Sequence, residues 1–105
     1  MNRGEIYAFK APRSGVAHRV VVLSSDLHNE RVGAKPFCAP IVRQPSPVEF
    51  APFVVPLHET DAITGSVVVA KTAPIALPPD AVRGGMVTGP TANALSEALR
   101  ALFDL

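Results

Sequence analysis

His18-Arg19-Val20-Val21-Val22-Leu23-Ser24-Ser25-Asp26 is the stretch on which the fold turns. Four apolar, mostly β-branched residues follow one another from Val20 to Leu23, and Ser24-Ser25-Asp26 then supplies turn chemistry. A strand with one face in water alternates apolar and polar residues. This run does not alternate, so it is expected to be a central strand covered on both faces. Upstream, Ile6-Tyr7-Ala8-Phe9 reads as its neighbour, separated from it by the turn residues Ala11-Pro12-Arg13-Ser14-Gly15. Downstream, Ser25 or Asp26 is suited to cap one helical turn reaching Arg31, with Gly33 ending it.

Further strands are expected over Pro36–Val42, Phe50–Leu57 and Ser66–Ala70, with short ones at Ala73–Leu77 and Gly85–Thr88. Six prolines lie from Pro36 to Pro56, and a residue without an N–H cannot donate to a ladder, which places this section at sheet edges and bends. Ala92, Leu95, Ala98, Leu99, Leu102 and Phe103 then recur at three- and four-residue spacing, the apolar stripe of a helix of about four turns. Thr88 is placed to cap it, Pro90 suits its first turn, and Arg100 suits the negative end of its dipole. The result is an α+β domain, a small bent and mainly antiparallel sheet with a C-terminal helix packed on it.

A chain of 105 residues fits one domain, residues 1–105. With 48% hydrophobic residues and a net charge of +1 it is not a disordered chain, and its apolar runs fall short of a membrane span. The N-terminus lacks the apolar region of a signal peptide, so a cytoplasmic location is expected. The small net charge hides an asymmetry. Residues 1–43 carry seven Lys/Arg against three acids, or +4, and the remainder three against six, or −3. Such a split points to an anionic partner for one half of the fold.

His18, His28 and His58 have no metal-ligand spacing, Cys38 stands alone, and the glycines match no nucleotide-binding loop. Neither a metal nor another cofactor is expected, so side chains alone must carry any chemistry. Arg13, His18 and Arg19 form the most suggestive cluster. A histidine exchanges protons near neutral pH and a guanidinium stabilises charge on a phosphoryl group, while RNA brings its own nucleophile in the 2′-hydroxyl. The same cluster is also what a solvated strand end looks like. Glu5 is placed to pair with Arg3, Cys38 reads as a core thiol, and His58-Glu59-Thr60-Asp61 as an acidic surface turn.

Four segments resemble the MazF/PemK-like toxins of bacterial toxin–antitoxin pairs, whose fold is also that of the CcdB-like gyrase poisons. They are Arg3-Gly4-Glu5-Ile6-Tyr7, the strand and turn from Val20 to Asn29, Ser66-Val67-Val68-Val69, and the closing run Leu95 to Leu105. The resemblance implies a homodimeric, metal-independent endoribonuclease that cuts single-stranded RNA to a 2′,3′-cyclic phosphate and a 5′-hydroxyl, restrained by a cognate antitoxin. Counting back from Asp26, His18 stands at the family's catalytic arginine and Arg19 at the proline after it. Arg19 then supplies the guanidinium only where the strand start is slipped or bulged. The family's threonine falls on Val42, beside Arg43, and its Glu-Gln pair on Lys71 and Thr72. On this resemblance His18 and Arg19 are the catalytic pair, with Arg13, Arg43, Lys71 and Thr72 contacting RNA. A non-nucleolytic, gyrase-binding toxin or a catalytically impaired member is the alternative reading of the same substitutions.

Overall fold

A computed structural model describes residues 1–43 and 53–104. In chain order the elements are β1 (Glu5–Lys10), β2 (Ala17–Val22), α1 (Asp26–Asn29), β3 (Phe37–Val42), β4 (Val54–Pro56), β5 (Ser66–Val68), a 3₁₀ turn (Val69–Lys71), β6 (Ala73–Pro74), β7 (Val82–Met86) and α2 (Gly89–Phe103). The strands run β4-β5-β3-β2-β1-β7, with β6 also paired to β3, and every pairing is antiparallel.

The run Val20 to Leu23 is central and covered on both faces, as its lack of alternation predicts. Val21 joins Ile6, Ala39, Ile41, Val67 and Val69 in the larger core, under Leu95 and Ala98 of α2. Val20 and Val22 join Cys38 on the other face, against Tyr7, Phe9, Ile75 and Leu77. The stripe of α2 buries Leu95 and Ala98 and rests Leu99 and Leu102 on the core, whereas Ala92 and Phe103 face solvent. Ser25 caps α1 through its hydroxyl, which accepts from the His28 N–H, and α1 ends at Asn29, before Arg31.

Other boundaries differ from the sequence reading for identifiable reasons. β3 lies inside the sheet despite Pro40. The Leu23 N–H donates to the Phe37 carbonyl at 2.8 Å, and alternation along that ladder turns the Pro40 nitrogen away from β2. On that far side β3 pairs first with β6 at Phe37 and Cys38 and then with β5 at Ile41 and Val42, and Pro40 falls at the step between them. The missing donor therefore leaves no ladder bond broken. β5 stops at Val68 because the chain tightens into a 3₁₀ turn, with the Val69 N–H donating to Phe53 and both the N–H and hydroxyl of Thr72 donating to the Val69 carbonyl. Of the strand expected over Phe50–Leu57, residues 54–56 form β4, while residues 50–52 lie outside the described residues, as do Pro45, Pro47 and Leu105.

The last strand begins at Val82, earlier than Gly85, and holds a bulge: Ile6 opposes Gly85 and Tyr7 opposes Arg83, leaving Gly84 extra. Gly85 has φ +120°, and a Cβ there would stand 2.9 Å from the Ala62 Cβ. Thr88 holds the N-cap position of α2, yet its hydroxyl makes no cap bond. Asp61 anchors this end of α2 from the distant 58–61 turn, accepting from the Thr88 N–H at 2.7 Å, the His58 N–H at 2.6 Å and the Thr91 hydroxyl.

Candidate functional site

β2 carries His18 and Arg19 at its exposed start. Its register against β1 is unbroken from Ile6↔Val21 to Lys10↔Ala17, so no bulge turns either side chain. Period-2 alternation puts His18 on the face of Val20 and Val22 and Arg19 on the face of Val21. The two residues expected to act together are thus rooted on opposite faces of the sheet, although at its open end both border the same hollows.

On the His18 face, the imidazole lies against the ring of Phe9, its direct partner across the hairpin, with centroids 5.5 Å apart and planes inclined by 32°. The register of β2 with β3 pairs Val20 with Pro40, and continued by two residues it sets Val42 across from His18. Phe9, His18, Arg19, Val20, Pro40, Val42 and Lys71 are among the residues that line a concavity of about 520 Å³. Lys71 enters it from the 3₁₀ turn. Thr72 closes that turn, its hydroxyl donating to the Val69 carbonyl at 2.6 Å, and so acts on the position of Lys71. Arg13 is exposed on the β1–β2 loop, whose Ala11 and Pro12 also line the concavity. The sheet thus brings His18 and Lys71 to one concavity, which meets the chemical need for a proton-exchanging group near a cation.

Arg19 also lines a hollow of about 230 Å³ on the opposite face with Ala17, Ile41 and Arg43, and one of about 380 Å³ at the open end of β1 and β2 with Ala8, Lys10, Asp80 and Val82, which Phe9 and His18 border as well. Between the N-terminal segment and α2, a further hollow of about 250 Å³ is bordered by Arg3, whose guanidinium donates to the Ser96 hydroxyl at 3.2 Å. It holds no histidine or acid that could move a proton.

Glu5 pairs with Arg83 of β7 and not with Arg3, whose backbone N–H donates to Asp26 at 2.7 Å. Burial raises the Glu5 carboxyl, but the Asn2 N–H and the Arg83 guanidinium more than offset this and hold it below the ordinary value. Tyr7, whose hydroxyl donates to Glu5 at 3.5 Å, is raised by burial and by that carboxylate. The Cys38 thiol is fully buried and pushed up to about 11 by desolvation, which makes it a core group without nucleophilic character at neutral pH. Phe9 is the contributor that the residue pattern underplays. Its signal is the length of the Ala11–Val16 turn, which closes by an Ala11 N–H to Val16 carbonyl bond and thereby sets Phe9 opposite His18.

A mostly antiparallel sheet closed by a C-terminal helix matches the fold of the MazF toxins. An endoribonuclease solved with its cognate antitoxin from Mycobacterial species superposes at TM-score 0.83 with 20% identity, covering 100% of this chain and 96% of that one. The MazE-MazF complex of Deinococcus radiodurans gives 0.80 at 16% identity over 100% and 96%, and MazF of the same organism 0.78 at 15% over 100% and 97%. No family model and no curated protein matches the chain. At these identities the likeness is one of fold.

Proposed function

We propose that this chain is the toxin of a toxin–antitoxin pair and cuts single-stranded RNA without a metal ion. The observation that carries this reading is the placement of His18 and Lys71 around one concavity in a fold shared along its whole length with MazF endoribonucleases. In the proposed step the His18 imidazole takes the proton of a 2′-hydroxyl, and the freed oxygen attacks the adjacent phosphorus. The bond to the 5′-oxygen breaks, that oxygen takes a proton from water, and the products are a 2′,3′-cyclic phosphate and a 5′-hydroxyl. Lys71 stabilises the charge that gathers on the non-bridging oxygens. Phe9 fixes the imidazole by ring contact, and Arg13 contacts the strand from the β1–β2 loop. Arg19, rooted on the far face but lining the same concavity, is assigned to binding the strand and not to the proton transfer.

Residues 1–105 act here as one unit, paired with a second copy and held inactive by a cognate antitoxin. No helix among the described residues is long and apolar enough to cross a membrane, and a cytoplasmic site of action is proposed with the RNA substrate. A gyrase-binding role lacks comparable support, since the similar solved structures are MazF toxins and endoribonucleases. The purified chain incubated with a long RNA in EDTA should yield discrete fragments with 5′-hydroxyl ends. Intact RNA, with growth still arrested on expression, would transfer the assignment to the gyrase-binding alternative.

A further inference from the structure

The face opposite His18 carries an arrangement of its own. Alternation puts Ala8, Lys10, Ala17, Arg19, Ile41 and Val82 on one side of the sheet, and continuing the β2–β3 register sets Arg43 across from Ala17. Three cations therefore surround a floor of two alanines. Lys10 and Arg43 are each diagonal neighbours of Arg19, which spaces their roots by ~7–8 Å. Because Ala8 and Ala17 project only methyl groups, the cations stand beside two hollows, about 380 and 230 Å³, that share Arg19 as their common wall, and the larger reaches round the open end of the hairpin to Phe9 and His18. All three are exposed, and among the described residues none forms an ion pair within 4 Å.

We propose that Lys10, Arg19 and Arg43 form a second phosphate-binding surface, which carries the RNA strand past the open end of β2 onto the face opposite His18. This rests on the ribonuclease reading for the identity of the ligand, and three observations choose a polynucleotide over an acidic polypeptide. Arg19 borders the 520 Å³ concavity as well as both hollows, so a strand leaving the concavity meets it next. Hollows alternating with cations suit a polymer that alternates bases with phosphates. Asp80, presented by the Pro78–Ala81 turn that the Ala81 N–H closes onto the Pro78 carbonyl, lines the larger hollow. A carboxylate there accepts hydrogen bonds from the amino edge of a base, a donor that the side chains of an acidic peptide do not offer.

The test measures binding of non-cleavable 2′-O-methyl RNA by the full chain across a salt series, with a short strand of about four nucleotides and a long one of about twelve. Lys10→Gln combined with Arg43→Gln should reduce the salt slope for the long strand by about 1.4, at ~0.7 for each phosphate no longer neutralised, and leave the short strand unchanged. A wild-type slope for the long strand in the double variant would overturn the proposal. So would a surface that binds polyglutamate, but not RNA, in a manner abolished by the same substitutions. If the wild-type chain binds the long strand with the expected slope yet leaves ordinary RNA intact, the second surface stands and the ribonuclease reading fails.

Discussion

A one-residue difference in position decides what His18 and Arg19 can each do. Both are exposed and adjacent, but the uninterrupted β1–β2 ladder roots the imidazole on the face of Phe9 and the guanidinium on the face of Lys10 and Arg43, and the two meet only at the open end of the hairpin. His18→Ala should therefore lower kcat by ~10²–10⁴-fold, the usual worth of a general base, without changing the melting temperature. Arg19→Ala should act on KM for long RNA with little change in kcat. Equal losses of kcat in both variants, read from steady-state cleavage, would mean that the two residues share one face of the reaction after all. The residue types were legible in the sequence, because a histidine and arginines in a basic segment already suggest phosphoryl chemistry. Their separation was not, because it depends on whether the strand start is bulged, and among the described residues the register shift lies at Gly84 on β7.

At the scale of elements, α2 is docked by a carboxylate from elsewhere in the chain. Burial raises the Asp61 carboxyl, but hydrogen bonds from Thr91, Thr88 and His58 more than offset it and hold it below its ordinary value. A carboxyl depressed in the folded state contributes fully above its unfolded pKa, and the contribution is lost as pH falls through the folded value. Asp61→Ala should cost about 1.5–3 kcal/mol at neutral pH, the worth of hydrogen bonds to a charged acceptor, and the gap from wild type in thermal melts should close toward acid pH. Gly85→Ala tests the neighbouring packing. Its φ of +120° and the 2.9 Å approach to Ala62 make the substitution strained and crowded at once, with an expected loss of about 1–3 kcal/mol in denaturant titration. The helix itself was readable from its spacing, and Thr88 from its place before Gly89-Pro90. The bond from Thr88 to Asp61, 27 residues away, had no local signal.

For the whole molecule, the basic half of the sequence becomes two surfaces. Lys10, Arg19 and Arg43 come from residues 1–43, and they meet on one face because β1, β2 and β3 are neighbours in the sheet. Exposed Val82, Met86 and Phe103 leave apolar surface on β7 and α2 that a small domain covers by association. Sedimentation at micromolar concentration should give twice the chain mass, and a strictly monomeric mass would remove the dimer from the proposed toxin.

The sequence by itself determined the class of fold, since the unalternated Val20–Leu23 run, the proline-broken middle and the 3.6-residue period near the end are local consequences of burial and backbone chemistry. It also determined that the first 43 residues hold most of the cations. Tertiary structure alone decided which of them meet: strand register assigns each side chain to a face, and register is fixed by pairings between segments far apart in the chain. That is why His18 shares a concavity with Lys71, more than fifty residues away, while the arginine beside it is rooted on the other face of the sheet and reaches that concavity only at the open end of β2.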